Sequence, residues 1–340
     1  MRKVHVEDAI GLTLCHDVTG IGKEFKGPVF RRGHVIQPQD VERLLDLGKR
    51  HVFIWEEHAG EIHEEDAALR LAKLSAVEEG DFTGPSEGKM VLSARREGLL
   101  RVNVPLLTAI NTIGDITIST LPDHYPAQPG DKLASMRIVP LVTQEEQIRQ
   151  AEQLCRESQR PLLELLPYRQ KKVGIIITGS EVYTGRIQDL FQPVIRRKLE
   201  PFGAQVLGCT FCDDDLPMIQ GAVQDYLDQG AQLIVMTGGM SVDPDDLTPT
   251  AIRSCGAQVV SHGVPSQPGN MLMLAYLGDV ALVGVPGAAV KLPTTTFDVL
   301  LPQLMTDEKL TREDLIRLGD GGFCQSCQSC HWPNCTFGRY

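Results

Sequence analysis

At 340 residues with 42% hydrophobic content, the chain is long enough for a sizeable core and for two or more domains at ~100–200 residues each. A formal net charge of -11 argues against a broad nucleic-acid or anionic-membrane surface, while leaving room for a local basic pocket that takes a phosphate. The start, Met1-Arg2-Lys3-Val4-His5-Val6-Glu7-Asp8, is charged throughout, unlike a signal peptide, and no apolar stretch nears the ~20 residues of a membrane span. The expectation is a cytoplasmic protein with small-molecule partners, bound to neither nucleic acid nor membrane.

Residues 1–80 read as an N-terminal α/β segment. After Pro38 a short helix carries Val41, Leu44 and Leu45 on one face, Gly48 marks its stop, and 51–55 reads as a strand. A second helix is predicted over 64–77. His58 and His63 flank acidic residues and suit a metal or a solvated turn; the lack of regular ligand spacing favours the turn. The stretch 80–88, rich in glycine and acids with Pro85, reads as a linker. Short β-like runs at 90–92, 99–104, 116–120 and 133–141, with a helix near 106–111, predict a small mostly β domain over 85–143 without visible chemistry. Residues 144–171 read as a helical linker, with Ile148, Ala151, Leu154 and Cys155 on one face until Pro161 interrupts it.

Strand and helix patterns then alternate through 172–306. Apolar runs at 173–177, 205–210 and 233–236 read as strands, with helices over 188–199, 216–227 and from Thr250 between and after them. Runs at 271–275 and 280–285, separated by Gly278-Asp279, look like a hairpin. Such alternation implies right-handed crossovers. The predicted fold class is α/β, a parallel sheet covered by helices on both faces, with an antiparallel pair appended.

Two polar loops, 178–187 and 237–249, leave strand ends and enter helices, so backbone amides and helix dipoles offer an anion seat. Gly238 and Gly239 allow close backbone approach, and Thr237 and Ser241 can add hydroxyl donors. Asp189, Asp213, Asp214, Asp215, Asp243, Asp245 and Asp246 come from three loops that a doubly wound sheet gathers at one edge. A phosphate beside several carboxylates calls for a divalent cation, most simply Mg2+, which points to phosphoryl, nucleotidyl or oxyanion transfer. Plainer readings stand beside this one. Asp215 before Leu216-Pro217 also fits a helix N-cap, Asp246 also fits a helix start, and the two glycines also fit a simple turn.

The ordered motifs Thr178-Gly179-Ser180-Glu181, Gly185-Arg186-Ile187-Gln188-Asp189, Asp214-Asp215, Thr237-Gly238-Gly239-Met240-Ser241 and Asp246-Leu247-Thr248-Pro249 resemble the molybdopterin-binding domain of molybdenum-cofactor biosynthesis. That domain is shared by molybdopterin adenylyltransferases, molybdopterin molybdenumtransferases and gephyrin-like proteins. The resemblance implies a molybdopterin site formed by Thr178, Gly179, Glu181, Gly185, Asp189, Thr237, Gly238, Gly239, Ser241, Pro286 and Gly287, with Asp246, Asp214 and Asp215 in catalysis. It further implies a Mg2+-dependent transferase acting with ATP or molybdate, and a homo-oligomer. Where molybdenumtransferases carry Ser-Asn this chain has Asp189-Leu190, which looks more like the adenylyltransferase pattern, and their Pro-Gly-Asn-Pro turn appears as Pro286-Gly287-Ala288-Ala289. Two rival readings remain: a non-catalytic molybdopterin carrier or sensor coupled to a molybdoenzyme, and an unrelated nucleotide-binding domain.

The last segment, 307–340, crowds Cys324, Cys327, Cys330 and Cys335 into twelve residues with His331 beside the third. Thiolates held together repel unless a metal neutralises them. The spacing is near a ferredoxin run and favours an iron–sulfur cluster over Zn2+; the alternative is a flexible thiol-rich tail. Cys209 and Cys212 read as packing residues.

Overall fold

The β-branched run at 173–177 can only be a strand buried on both sides, because alternate side chains point to opposite faces and all of them are apolar or glycine. In the computed structural model, which describes residues 1–21, 26–56 and 58–339, this run lies in the strand β1 (Lys172–Thr178) of a six-stranded sheet. The chain continues through α1 (Ser180–Tyr183), α2 (Phe191–Leu199), β2 (Gln205–Cys212), α3 (Leu216–Asp228), β3 (Leu233–Thr237) and α4 (Thr248–Ser254). It completes the sheet with β4 (Gln258–His262), β5 (Met273–Leu277) and β6 (Val280–Val285), then adds α5 (Ala288–Lys291), α6 (Thr296–Leu304) and α7 (Arg312–Arg317).

Strand order is β2-β1-β3-β6-β5-β4. β2, β1, β3 and β6 run parallel, with Ile175 opposite both Cys209 and Val235. β5 is antiparallel to both its neighbours, so the sheet is mixed where the sequence predicted a parallel one with a pair appended. The hairpin at Gly278-Asp279 is there, with Gly278 at φ +60°, but its second strand, β6, sits inside the parallel set. One core holds Ile175, Ile177 and Val283 against α2 and α6 through Ile195, Leu199, Phe297 and Leu301. The other holds Ile176, Ile234 and Met236 against α3 and α4 through Ile219, Val223 and Ile252. Each such side chain contributes roughly 1.5–3 kcal/mol by leaving water. Helices therefore cover both faces.

Helix starts follow their caps. Asp215 accepts Met218 N–H at 2.8 Å and Pro217 occupies the first turn of α3. Asp189 accepts Phe191 and Gln192 N–H at 2.8 and 2.9 Å, so α2 begins at Phe191 and not at Gln188. The α6 capping box of Thr295 and Asp298 is tied to α2, because Asp298 also receives Lys198 Nζ at 2.6 Å, both side chains being about nine-tenths buried. Across the sheet from that pair, the Tyr226 ring of α3 lies over Gly174, where a Cβ would come within 2.6 Å of Cδ2.

Two units divide the chain. This sheet belongs to the one made of 97–101, 122–127 and everything from Leu165 onward; 1–96, 102–121 and 128–164 form the other. In the latter, the strand Arg2–His5 pairs antiparallel with His51–Ile54 over Val6, Leu14, Ile36 and Leu44. The helix Glu64–Leu74 packs on a four-stranded antiparallel sheet of Gly80–Ser86, Lys89–Ala94, Lys132–Ile138 and Ile116–Thr120, in that order. The 80–88 stretch is thus an edge strand for most of its length, not a linker; Gly84-Pro85 are tolerated because they fall in the register break between Thr83 and Ser86, outside the paired positions. The helix Glu145–Glu157 is joined to Glu64–Leu74 by Arg70, 2.7 Å from both Glu145 and Glu152. Beyond it, Leu163–Leu166 is a strand where a helical linker was expected. His63 caps the helix that follows it: Nδ1 accepts Glu65 N–H at 3.2 Å and Nε2 lies 2.7 Å from Cys15 O.

Candidate functional site

The carboxyl ends of all four parallel strands open onto one cavity of about 580 Å3. The loop after β1 supplies Thr178, Gly179, Ser180 and Glu181; the loop after β2 supplies Asp214; the loop after β3 supplies Gly238, Gly239, Asp243, Asp245 and Asp246; and the turn after β6 supplies Gly287, Val290 and Lys291. Parallel strands all end at the same edge, which is why segments over a hundred residues apart in sequence meet here.

The β1 and β3 loops touch. Gly238 has φ +89°, and a Cβ there would overlap the Thr178 carbonyl oxygen. Thr178 Oγ1 lies 2.9 Å from Thr248 Oγ1, which donates to Gly238 O at 2.9 Å, so two buried hydroxyls lock both loops to the start of α4. Ser180 N–H donates to Asp214 at 3.0 Å, joining the β2 loop to the first. Asp246 accepts Asp243 N–H at 3.1 Å within its own turn.

Five carboxylates line the cavity, on Glu181, Asp214, Asp243, Asp245 and Asp246, and among the described lining residues Lys291 is the single cation. Burial raises the Asp214 carboxyl above its ordinary value; the Ser180 N–H opposes this, and the charges of Glu181, Asp213 and Asp245 add to it. An anionic ligand entering alone would meet net repulsion.

Of the residues expected at a ligand site, Thr178, Gly179, Glu181, Gly238, Gly239 and Gly287 line the cavity, as do Asp214 and Asp246. Gly185, Asp189, Thr237, Ser241, Pro286 and Asp215 do not. Asp189 and Asp215 hold helix starts, Ser241 is exposed, and Thr237 is fully buried, its Oγ1 without a hydrogen-bond partner among the described residues. Sequence reasoning does not single out Lys291 and Val290, which lie on the four-residue α5, or Phe191, which opens the predicted helix α2 and reads there only as a helix residue.

Cys209 and Cys212 pack on opposite faces of the sheet and cannot share a ligand. Burial pushes their thiols up to about 12 and about 11. The four tail cysteines line a different cavity, and no group of three His, Cys, Asp or Glu side chains among the described residues is placed to hold a metal ion. Among the described residues no helix is long and apolar enough to cross a membrane.

Residues 174–306 match the model of a family described as a probable molybdopterin binding domain, and residues 3–56 match a domain of unknown function, DUF8806. A molybdopterin molybdenumtransferase of Synechococcus elongatus is 28% identical over 162 residues, covering 45% of this chain and 40% of that protein. A CinA-like protein of Mycobacterium avium is 38% identical over 90 residues, covering 26% of this chain and 21% of that protein. The chain thus spans less than half the length of either relative. Among solved structures, a molybdopterin biosynthesis enzyme from Thermus thermophilus is similar at 20% identity and a TM-score of 0.32, covering 39% of this chain and 90% of that one.

Proposed function

Starting from residues 174–306 as a domain of the probable molybdopterin binding family, we propose that the protein binds molybdopterin in the cavity at the strand ends and catalyses a Mg2+-dependent transfer on it. The transfer is either insertion of molybdate or adenylylation by ATP. The observation that carries this reading is the meeting of an amide-rich glycine turn, a lysine and five carboxylates around one cavity. The Gly238-Gly239 turn lets the pterin phosphate approach the backbone without a Cβ in the way, and Lys291 adds charge at the rim.

The carboxylates fit the cation. Mg2+ takes oxygen ligands from one or two carboxylates, with water and substrate phosphates completing its shell, so it does not require a ready-made cage of three side chains. One or two of Asp243, Asp245 and Asp246 would hold it, and it would neutralise charge that develops on the transferred oxyanion. The chain's own part is to position: Asp214 fixes the Ser180 amide, and the Thr178–Thr248–Gly238 bonds fix the glycine turn. Asp215 acts on this site only through the start of α3.

Purified protein given molybdopterin, Mg2+ and either ATP or molybdate tests the proposal. Adenylylated pterin or inserted metal is the expected product, and Asp246→Ala should reduce turnover while leaving pterin affinity within a few-fold. Tight pterin binding with no product in either assay would replace the transferase by a carrier, and failure to bind molybdopterin would remove both.

A further inference from the structure

Four thiols that the proposed reaction does not use stand together near the end of the chain. Cys324, Cys327, Cys330 and Cys335 all line one cavity of about 350 Å3, with His331 and Thr294 also on its wall, and this cavity shares no lining residue with the strand-end cavity. None of the four is in a disulfide.

The loop that carries them is tightly anchored at its base. Gly338 N–H donates to Gly321 O at 2.9 Å, both residues having φ +74°, and a Cβ on Gly338 would come within 2.6 Å of Val299. Phe337 is buried in the core of the sheet unit, and Gln267 exchanges backbone bonds with Gly322 and Cys324. Asn334 accepts the Tyr125 hydroxyl at 2.8 Å, and the Arg339 guanidinium lies 4.8 Å from the Tyr125 ring centre. Between these anchors, 325–336 contains neither helix nor strand, and its one internal backbone bond runs from Asn334 N–H to His331 O. Ordering such a segment needs an interaction that backbone pairing does not supply.

Two of the four sulfurs already have polar neighbours. Ser326 N–H points at Cys324 Sγ at 3.4 Å, and Thr294 Oγ1 lies 3.1 Å from Cys330 Sγ. We propose that Cys324, Cys327, Cys330 and Cys335 hold a thiolate-ligated metal centre, a Zn2+ ion or an iron–sulfur cluster, which closes this loop. The thiols ring a space without converging on a point, so binding draws the loop inward, and Trp332 on the cavity wall reports the movement. With Trp55 the only other tryptophan, a Trp55→Phe background isolates that signal.

The test uses the full chain purified without oxygen, beside a Cys324→Ser/Cys327→Ser variant and a Cys255→Ser control. Zinc, iron and acid-labile sulfide are measured, and metal-free protein is titrated with Zn2+, with Co2+, and with Fe2+ plus sulfide while Trp332 emission is followed. Expected is either about one zinc per chain, with intense sulfur-to-cobalt bands on Co2+ substitution, or matched iron and sulfide with broad visible absorption. In either arm the double variant loses the metal and the control keeps it. Equal metal content in the double variant, or a chain that is metal-free as purified and shows no thiolate band in any titration, would overturn the proposal.

Discussion

Gly238→Ala should destabilise the protein by about 2–5 kcal/mol, although it adds one methyl group. At φ +89° an L-residue costs roughly 1–2 kcal/mol more than glycine. The new methyl would also stand 2.8 Å from the carbonyl carbon and the hydroxyl oxygen of Thr178, and closer still to the carbonyl oxygen; overpacking of that kind adds roughly 1–3 kcal/mol. Thr178 has little room to give way, because its hydroxyl is held at 2.9 Å by Thr248 and its strand is paired on both sides. Urea unfolding of the two proteins measures the difference, with Gly221→Ala as a counterpart. Gly221 lies inside α3 with nothing within 4 Å of its would-be Cβ, so alanine there should stabilise by roughly 0.5–1 kcal/mol. The same substitution thus has opposite signs at the two positions. A Gly238→Ala variant within about 0.5 kcal/mol of wild type would refute the close contact between the β1 and β3 loops.

Lys198→Met leaves Asp298 charged and buried, and should cost about 3–5 kcal/mol in chemical denaturation, with Asp298→Asn added to it recovering a large part; an additive double variant would show the pair is not coupled. Asp214 binds its proton more tightly folded than unfolded, so its favourable contribution is present below the ordinary carboxylate value and lost as pH rises through the raised folded value. Asp214→Asn, which cannot ionise and keeps an acceptor for Ser180, should therefore gain stability relative to wild type as pH goes from acid to neutral; a difference constant across that range would count against the burial argument. Lys291→Ala should weaken pterin binding roughly ten-fold and flatten its dependence on salt, whereas unchanged affinity in calorimetry would remove Lys291 from the phosphate site.

What the sequence revealed followed burial. β1 and β3 are apolar on both faces, and such runs are legible without any partner in view. β4 was missed because it is an edge strand reading Gln-Val-Val-Ser-His, half-exposed and polar at both ends. The edge strand Gly80–Ser86 reads as a linker because of its glycines and proline, of which Gly84-Pro85 fall where its register with the neighbouring strand breaks. Within the site, glycines that must approach another backbone announced themselves at Gly238 and Gly239, whereas the split between Asp214 in the cavity and Asp215 in a cap depends on where one residue of β2 ends. Lys291 follows a turn and sits on four helical residues, too few for periodicity to show which way it faces.

Tyr226 gives the rim of the cavity a remote fulcrum. Its ring fills the trough left by Gly174 and Gly208 while its hydroxyl sits 3.0 Å from Thr210, so the tail of α3 is seated on the sheet at a fixed height. The head of the same helix follows directly on Asp214 and Asp215. A side chain at position 174 would tip α3 like a lever and carry Asp214 away from the Ser180 amide, so a substitution nowhere near any ligand should be felt first as misplacement of a carboxylate at the opposite end of the helix.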